Sequence, residues 1–176
     1  MRYTAIVFLI VLLICFQGCQ DDNKKLSRKD FAQAKNKLAK INSVLVDQDR
    51  SLIEHYIKRH NLDGVKESGT GLFYLIWGDS KGDLIKTGNV VEYSYKITLL
   101  DGALCYQSEK DTPKRFKVGH GLVESGLEQA VLLMKPGQKG KFILPPHLAY
   151  GLLGDEKMIP SRSIIVYDIE MLKVYR

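Results

Sequence analysis

The sequence predicts an α+β domain in which an antiparallel sheet folds over one amphipathic helix, preceded by a helical segment. Three observations carry this. Val91 to Leu99 alternates strictly between apolar and polar side chains. Leu127, Ala130, Val131 and Met134 recur at i, i+3, i+4 and i+7, the spacing of one helical face. The remaining apolar runs are short and separated by Gly, Pro and Asp-Gly turn signals.

The chain has 176 residues, 45% hydrophobic and 26% charged, which suits one domain with a small extra segment and excludes wholesale disorder. The net charge of +6 is spread along the chain and gives no reason to expect nucleic acid. Three cysteines are too few for a disulfide scaffold. No Walker or dinucleotide-type glycine loop is present, and no His/Cys cluster has metal-ligand spacing, so no cofactor and no metal is expected.

Residues 1–18 read as a signal peptide. Arg2 supplies the positive start, and Ala5 to Phe16 is an apolar run of twelve residues. A helix of that length spans only about 18 Å, short of the ~30 Å hydrocarbon core, and suits a cleaved leader better than a membrane span. The run ends in Phe16-Gln17-Gly18-Cys19, which resembles a lipobox with Phe in place of the usual Leu. Cys15 would then leave with the leader, Cys19 would carry the lipid, and Cys105 would remain alone. More than one acyl chain gives stable anchoring. Gln20-Asp21-Asp22 resembles a surface-sorting signal. The expectation is an exported lipoprotein at the outer membrane or cell surface; an uncleaved anchor or a plain secretory peptide is the alternative.

Residues 19–68 read as a tether and helical spacer. Ser27 is a candidate cap with Asp30 three residues on. Phe31, Ala34, Leu38 and Ile41 form one apolar stripe. A second stretch, Asp49 to His60, puts Leu52, Ile53, Tyr56 and Ile57 on one face, and Asn61 to Gly64 supplies stop signals. A spacer packed on the domain and a dimerisation or partner-binding arm both fit.

Residues 69–176 read as the main domain. Leu72 to Trp77 is a short strand. After a turn-rich stretch, Val91, Tyr93, Tyr95, Ile97 and Leu99 mark the buried face of a longer one. Asp101-Gly102 signals a hairpin. The Leu127–Met134 helix stops at Pro136-Gly137. Lys141 to Leu144 and Ile164 to Val174 are further strands, the last with Ile165, Tyr167, Ile169 and Met171 on one side. Lys110, Lys114, Arg115 and Lys117 cluster around one predicted strand, as a solvated sheet face or a contact for acidic partners or lipid head groups.

Several spaced pieces then line up: Tyr95 six residues before Asp101-Gly102, Val123 with Gly126-Leu127-Glu128, Met134-Lys-Pro-Gly137-Gln138, Pro146-His-Leu-Ala149-Tyr150-Gly151, Gly154, Ile159-Pro160, and Val166-Tyr167-Asp168-Ile169-Glu170-Met171-Leu172. In this order the set resembles the FKBP-type peptidyl-prolyl cis-trans isomerases, over roughly Lys86 to Val174. With the lipoprotein start and helical spacer, the architecture is similar to gliding-motility-associated FKBP-type lipoproteins. The resemblance implies a five- to six-stranded antiparallel sheet wrapped around a short helix, with a substrate pocket between them.

It further implies isomerisation of X-Pro bonds, with proline-containing polypeptides of the envelope or of exported proteins as substrates. Catalytic roles fall to Tyr150, whose hydroxyl would donate to a ligand carbonyl, and to Tyr95. Val123, Leu127 (the floor), Ile159, Tyr167, Tyr106 and Glu124 would bind substrate, Glu124 through its backbone N–H. The chain departs from the family pattern at Cys105-Tyr106, where Phe-Asp is common, and Tyr106 is expected to refill part of that volume. Asp155 for a loop His and Lys114 for Phe make the rim more polar. Partners would be the membrane, through the lipid, and secretion or motility components. The alternative is a non-catalytic FKBP-like binding or chaperone module of such an apparatus.

Overall fold

The computed structural model describes residues 28–80, 82–109 and 112–176. The expected signal peptide, the lipid attachment at Cys19, the Ser27 cap and Lys110 lie outside them. In chain order the elements are α1 (Arg28–Arg59), β1 (Lys66–Glu67), β2 (Phe73–Trp77), β3 (Val90–Leu99), β4 (Leu104–Gln107), β5 (Lys114–Lys117), α2 (Ser125–Leu132), β6 (Lys139–Leu144), a single 3-10 turn at Pro146–Leu148, and β7 (Ile165–Tyr175).

The alternating run becomes β3, which pairs antiparallel with β7 from Val90 to Leu99. Asp101-Gly102 closes the hairpin into β4: Gly102 takes φ +92° and the Ala103 N–H donates to Asp101 Oδ1 at 2.9 Å. The sheet is antiparallel, in the order β1-β2-β6-β7-β3-β4, with β5 also on β3. It has seven strands where five to six are expected. The reason is at its edges. β4 pairs with Lys96–Thr98 and β5 with Val90–Tyr93, so two short strands share one edge of β3 end to end. At the other edge β1 adds a two-residue strand.

α2 buries Leu127, Ala130 and Val131, and Met134 just beyond its end is fully enclosed. They pack with Val91, Ile97, Phe142 and Ile169 in the larger core. Gly126 is what lets the helix approach: a Cβ there would lie 2.4 Å from Leu144 Cδ2 and 2.7 Å from the Leu148 carbonyl oxygen.

The two helical stretches of the spacer are one helix of 32 residues, α1, because neither Gly nor Pro interrupts it. Asn42–Arg176 forms one compact unit. Within it, α1 buries Asp49, Ile53 and Tyr56. Ile53 and Tyr56 join Phe73, Ile143, Ile164 and Val166 in a second, smaller core. Leu52, expected on this face, points outward and is 53% exposed. Phe73, Ile143 and Val166 are register partners across β2, β6 and β7. Their neighbours Phe142 and Tyr167 belong to the α2 core, so both faces of the sheet are covered. The sheet begins at Lys66, inside the stretch read as spacer. In the upstream unit, the stripe residues Phe31, Leu38 and Ile41 are exposed. Among the described residues no helix is long and apolar enough to cross a membrane.

Candidate functional site

Between α2, β3, β4 and the loop that follows the 3-10 turn lies a hollow of about 470 Å³. β3 contributes Tyr93, Tyr95 and Ile97, every second residue and therefore one face of the strand. β7 adds Tyr167 from the neighbouring register position, and the Tyr95 and Tyr167 ring centroids lie 6.1 Å apart. Leu127, 1% exposed, is the apolar side chain that α2 turns into it. Tyr150 enters from the loop, where Pro146 fixes the backbone: the Ala149 and Gly151 N–H groups both donate to its carbonyl, at 3.1 and 2.8 Å.

Of the residues named from sequence, the structure brings Tyr95, Tyr106, Val123, Glu124, Leu127, Tyr150 and Tyr167 to this hollow. Ile159 requires a correction. It is 1% exposed, packed in the core, and is not part of the lining. Its backbone instead ties the loop: its N–H donates to Asp155 Oδ1 at 2.8 Å, and its carbonyl accepts from the Asp155 N–H at 3.1 Å. Sequence reasoning misses Tyr93, Ile97, Leu122, Arg115 and Lys157 as lining residues. Tyr93 and Ile97 carried a usable signal, since they alternate with Tyr95 on one strand face.

Tyr106 donates its hydroxyl to Asp155 Oδ2. Both residues line the hollow, so the bond joins β4 to the loop after Tyr150 across its wall. Burial works against the Asp155 charge, but the Tyr106 phenol and the N–H groups of Ile159, Lys157 and Met158 outweigh it and hold the carboxyl below its ordinary range. Cys105 is the extra residue of a bulge in β4. Burial, and after it the charges of Asp155 and Asp101, push its thiol up, so it stays a thiol rather than a reactive thiolate.

Glu124 sits at the N-cap of α2, yet its side chain makes no capping bond. It faces the hollow, where the Tyr167 hydroxyl donates to Oε2 at 3.3 Å. Burial first, then hydrogen bonding to Glu124 and its charge, push the Tyr150 phenol up. Burial and the Glu124 charge do the same for Tyr167. Both phenols are therefore held protonated, as donors, at neutral pH. The loop before Glu124 is braced by Glu128, which accepts from the N–H groups of Gly119 at 2.7 Å and Gly121 at 3.1 Å. Among the described residues no group of three or more His, Cys, Asp or Glu side chains is placed to hold a metal ion.

Residues 82–172 match the family profile described as FKBP-type peptidyl-prolyl cis-trans isomerase. The chain belongs to the FKBP-type peptidyl-prolyl cis-trans isomerase family. It is 39% identical over 90 residues to FK506-binding protein 2 of Dictyostelium discoideum, covering 51% of this chain and 68% of that protein. Against the FKBP-type peptidyl-prolyl cis-trans isomerase FkpA of Escherichia coli K12 it is 32% identical over 170 residues, 89% of this chain. It spans 62% of the length of that relative. The crystal structure of FkpA from Escherichia coli superposes with a TM-score of 0.64 at 31% identity, over 93% of this chain and 80% of that one. The match to FkpA thus takes in the FKBP-type domain and sequence upstream of it.

Proposed function

We propose that this FKBP-type domain rotates X-Pro peptide bonds in envelope or exported polypeptides. The X-Pro bond favours trans by only ~0.5–1 kcal/mol, but the barrier of ~18–20 kcal/mol makes exchange slow. Rotation breaks amide resonance and no bond between heavy atoms. A catalyst therefore needs no nucleophile. It needs a place that strips water from the planar, polar amide and a donor that favours the twisted form. One observation carries the reading: the Tyr150 phenol, held protonated, stands in a hollow walled by Tyr95 and Tyr167 and backed by Leu127.

The test is NMR exchange spectroscopy on an X-Pro peptide with the folded, leaderless chain. Acceleration above buffer is expected, reduced in Tyr150→Phe and in Leu127→Lys. A folded protein that leaves the exchange rate at the buffer value overturns the reading. One observation favours a second reading, a binding module without catalysis: Glu124 lines the same hollow as the phenols a substrate carbonyl would need and already accepts from one of them, Tyr167, at 3.3 Å. Peptide binding without acceleration would support it.

The location of the substrates rests on the leader-like run and Gly18-Cys19. On this reading a lipid on Cys19 holds the domain at the outer membrane or cell surface, within reach of secretion or motility components. Cys19→Ser is expected to release the chain from membranes or to leave it unprocessed. A wild-type mass equal to the intact, unlipidated Met1 chain overturns the anchor.

A further inference from the structure

We propose that Glu124 makes this site selective for proline flanked by Lys or Arg, an inference that rests on the isomerase reading only for where the proline binds. Four other carboxylates of the domain set Glu124 apart. Asp49 has Arg162, Glu92 has Arg115 and Asp168 has Lys141 within ion-pair distance. Asp155 has a phenol and backbone N–H groups, those of Lys157 and Ile159 among them. Glu124 has the Tyr167 phenol alone. Among the described residues no Lys, Arg or His lies within ion-pair distance of it, and it leaves the N-terminus of its own helix uncapped.

A carboxylate so placed is a cost to any neutral guest. A proline seated beside it removes water from the charge and returns nothing. A guest that brings a cation converts that cost into an ion pair in a partly desolvated pocket, where attraction exceeds that of a surface pair. Lys114 and Lys157 also border the hollow, but they are exposed, and salt screens charges in open water far more than a pair closed inside. Arg115 is taken by Glu92. The inner charge that a bound residue meets is therefore negative. An acidic flanking residue would be opposed by both Glu124 and Asp155.

The experiment compares peptides that differ only in the residue before or after proline, with Leu, Lys or Glu there. Catalysed exchange and binding are both followed by NMR at physiological salt, with the wild-type chain, Glu124→Gln and Glu124→Asp. The expected result is a kcat/KM and an affinity roughly tenfold higher for Lys than for Glu peptides in at least one position. That ratio collapses towards one in Glu124→Gln and persists in Glu124→Asp, which keeps the charge. A ratio that Glu124→Gln leaves unchanged, or no preference in the wild type, overturns the inference while leaving an isomerase. Lys-selective binding without acceleration supports it and overturns the isomerase. Absence of both binding and acceleration overturns both.

Discussion

Arg162 places a guanidinium nitrogen 2.7 Å from Asp49 Oδ1 and 3.2 Å from the Leu45 carbonyl oxygen, while its backbone N–H donates to the Gly151 carbonyl at 3.2 Å. One residue thus ties α1 to the backbone immediately after Tyr150. It does so at φ +56°, a left-handed conformation that a long side chain holds only where contacts compensate. Asp49→Asn leaves that guanidinium without its counter-charge. Breaking a fully buried pair costs ~3–5 kcal/mol, but the Arg162 side chain is 31% exposed and water takes up part of the loss. The expected destabilisation is about 1–3 kcal/mol by urea unfolding. Arg162→Gly relieves the backbone as it removes the contacts, so it should cost less than Arg162→Ala. Equal midpoints for Asp49→Asn and wild type would show that the tie adds nothing.

Tyr150→Phe removes one hydroxyl and no carbon. A single hydrogen bond contributes ~0.5–1.5 kcal/mol net, so kcat/KM on an X-Pro peptide should fall by up to roughly tenfold. The fold should survive, because Tyr150 is half-buried and its ring remains. Steady-state kinetics beside a thermal melt separates the two effects. A variant as active as wild type would remove the phenol from the mechanism.

The parts of this molecule written in local periods were legible. β3 follows from alternation, its hairpin from Asp101-Gly102, and α2 from the Leu127–Met134 stripe. Tyr93 and Ile97 were within reach of the same alternation. What escaped depends on partners distant in sequence. Glu92 looks like a solvent-facing residue of β3, yet it is buried beneath Arg115 and Tyr175, which both donate to its carboxylate. The pairing shifts there because Leu172 is an extra residue in β7, and nothing near Glu92 announces it. The resemblance places Glu124 at the site for its backbone N–H; that its carboxylate also faces the hollow follows only from the seating of α2 against the sheet. The resemblance alone places Ile159 in the pocket wall, and the loop folds back and puts it in the core.

Neither Asp155 nor the Tyr150 phenol should add a limb to the pH profile between acid and strongly basic pH. The Asp155 carboxyl is depressed in the fold, so its contribution is complete above the ordinary value of about 4 and is lost as pH falls through the lower folded value. The Tyr150 phenol is raised, so its donor hydroxyl is complete below the ordinary value of about 10 and is lost only above it. Catalysed exchange, corrected for the uncatalysed rate, should therefore show no limb assignable to either group between about pH 5 and 10. A limb centred near pH 9–10 that disappears in Tyr150→Phe would mean that the phenol ionises as if in water.

Gly154 offers a test of the loop that does not touch the hollow's lining. It sits at φ +75°, and a Cβ there would lie 2.2 Å from the Ile159 carbonyl oxygen, a backbone atom that cannot swing aside. Gly102 in the β3–β4 hairpin has a similar φ of +92° but open space around it. Gly102→Ala should carry the conformational strain alone, about 1 kcal/mol. Gly154→Ala should carry the same strain plus a collision with the segment that anchors Asp155. We expect a loss of about 2–4 kcal/mol and, below the melting transition, a kcat/KM that falls further than in Gly102→Ala. The two variants measured side by side separate turn strain from displacement of Tyr150 and Asp155. Equal activity in both would show that the Asp155–Ile159 clasp does not set the position of the Tyr150 phenol.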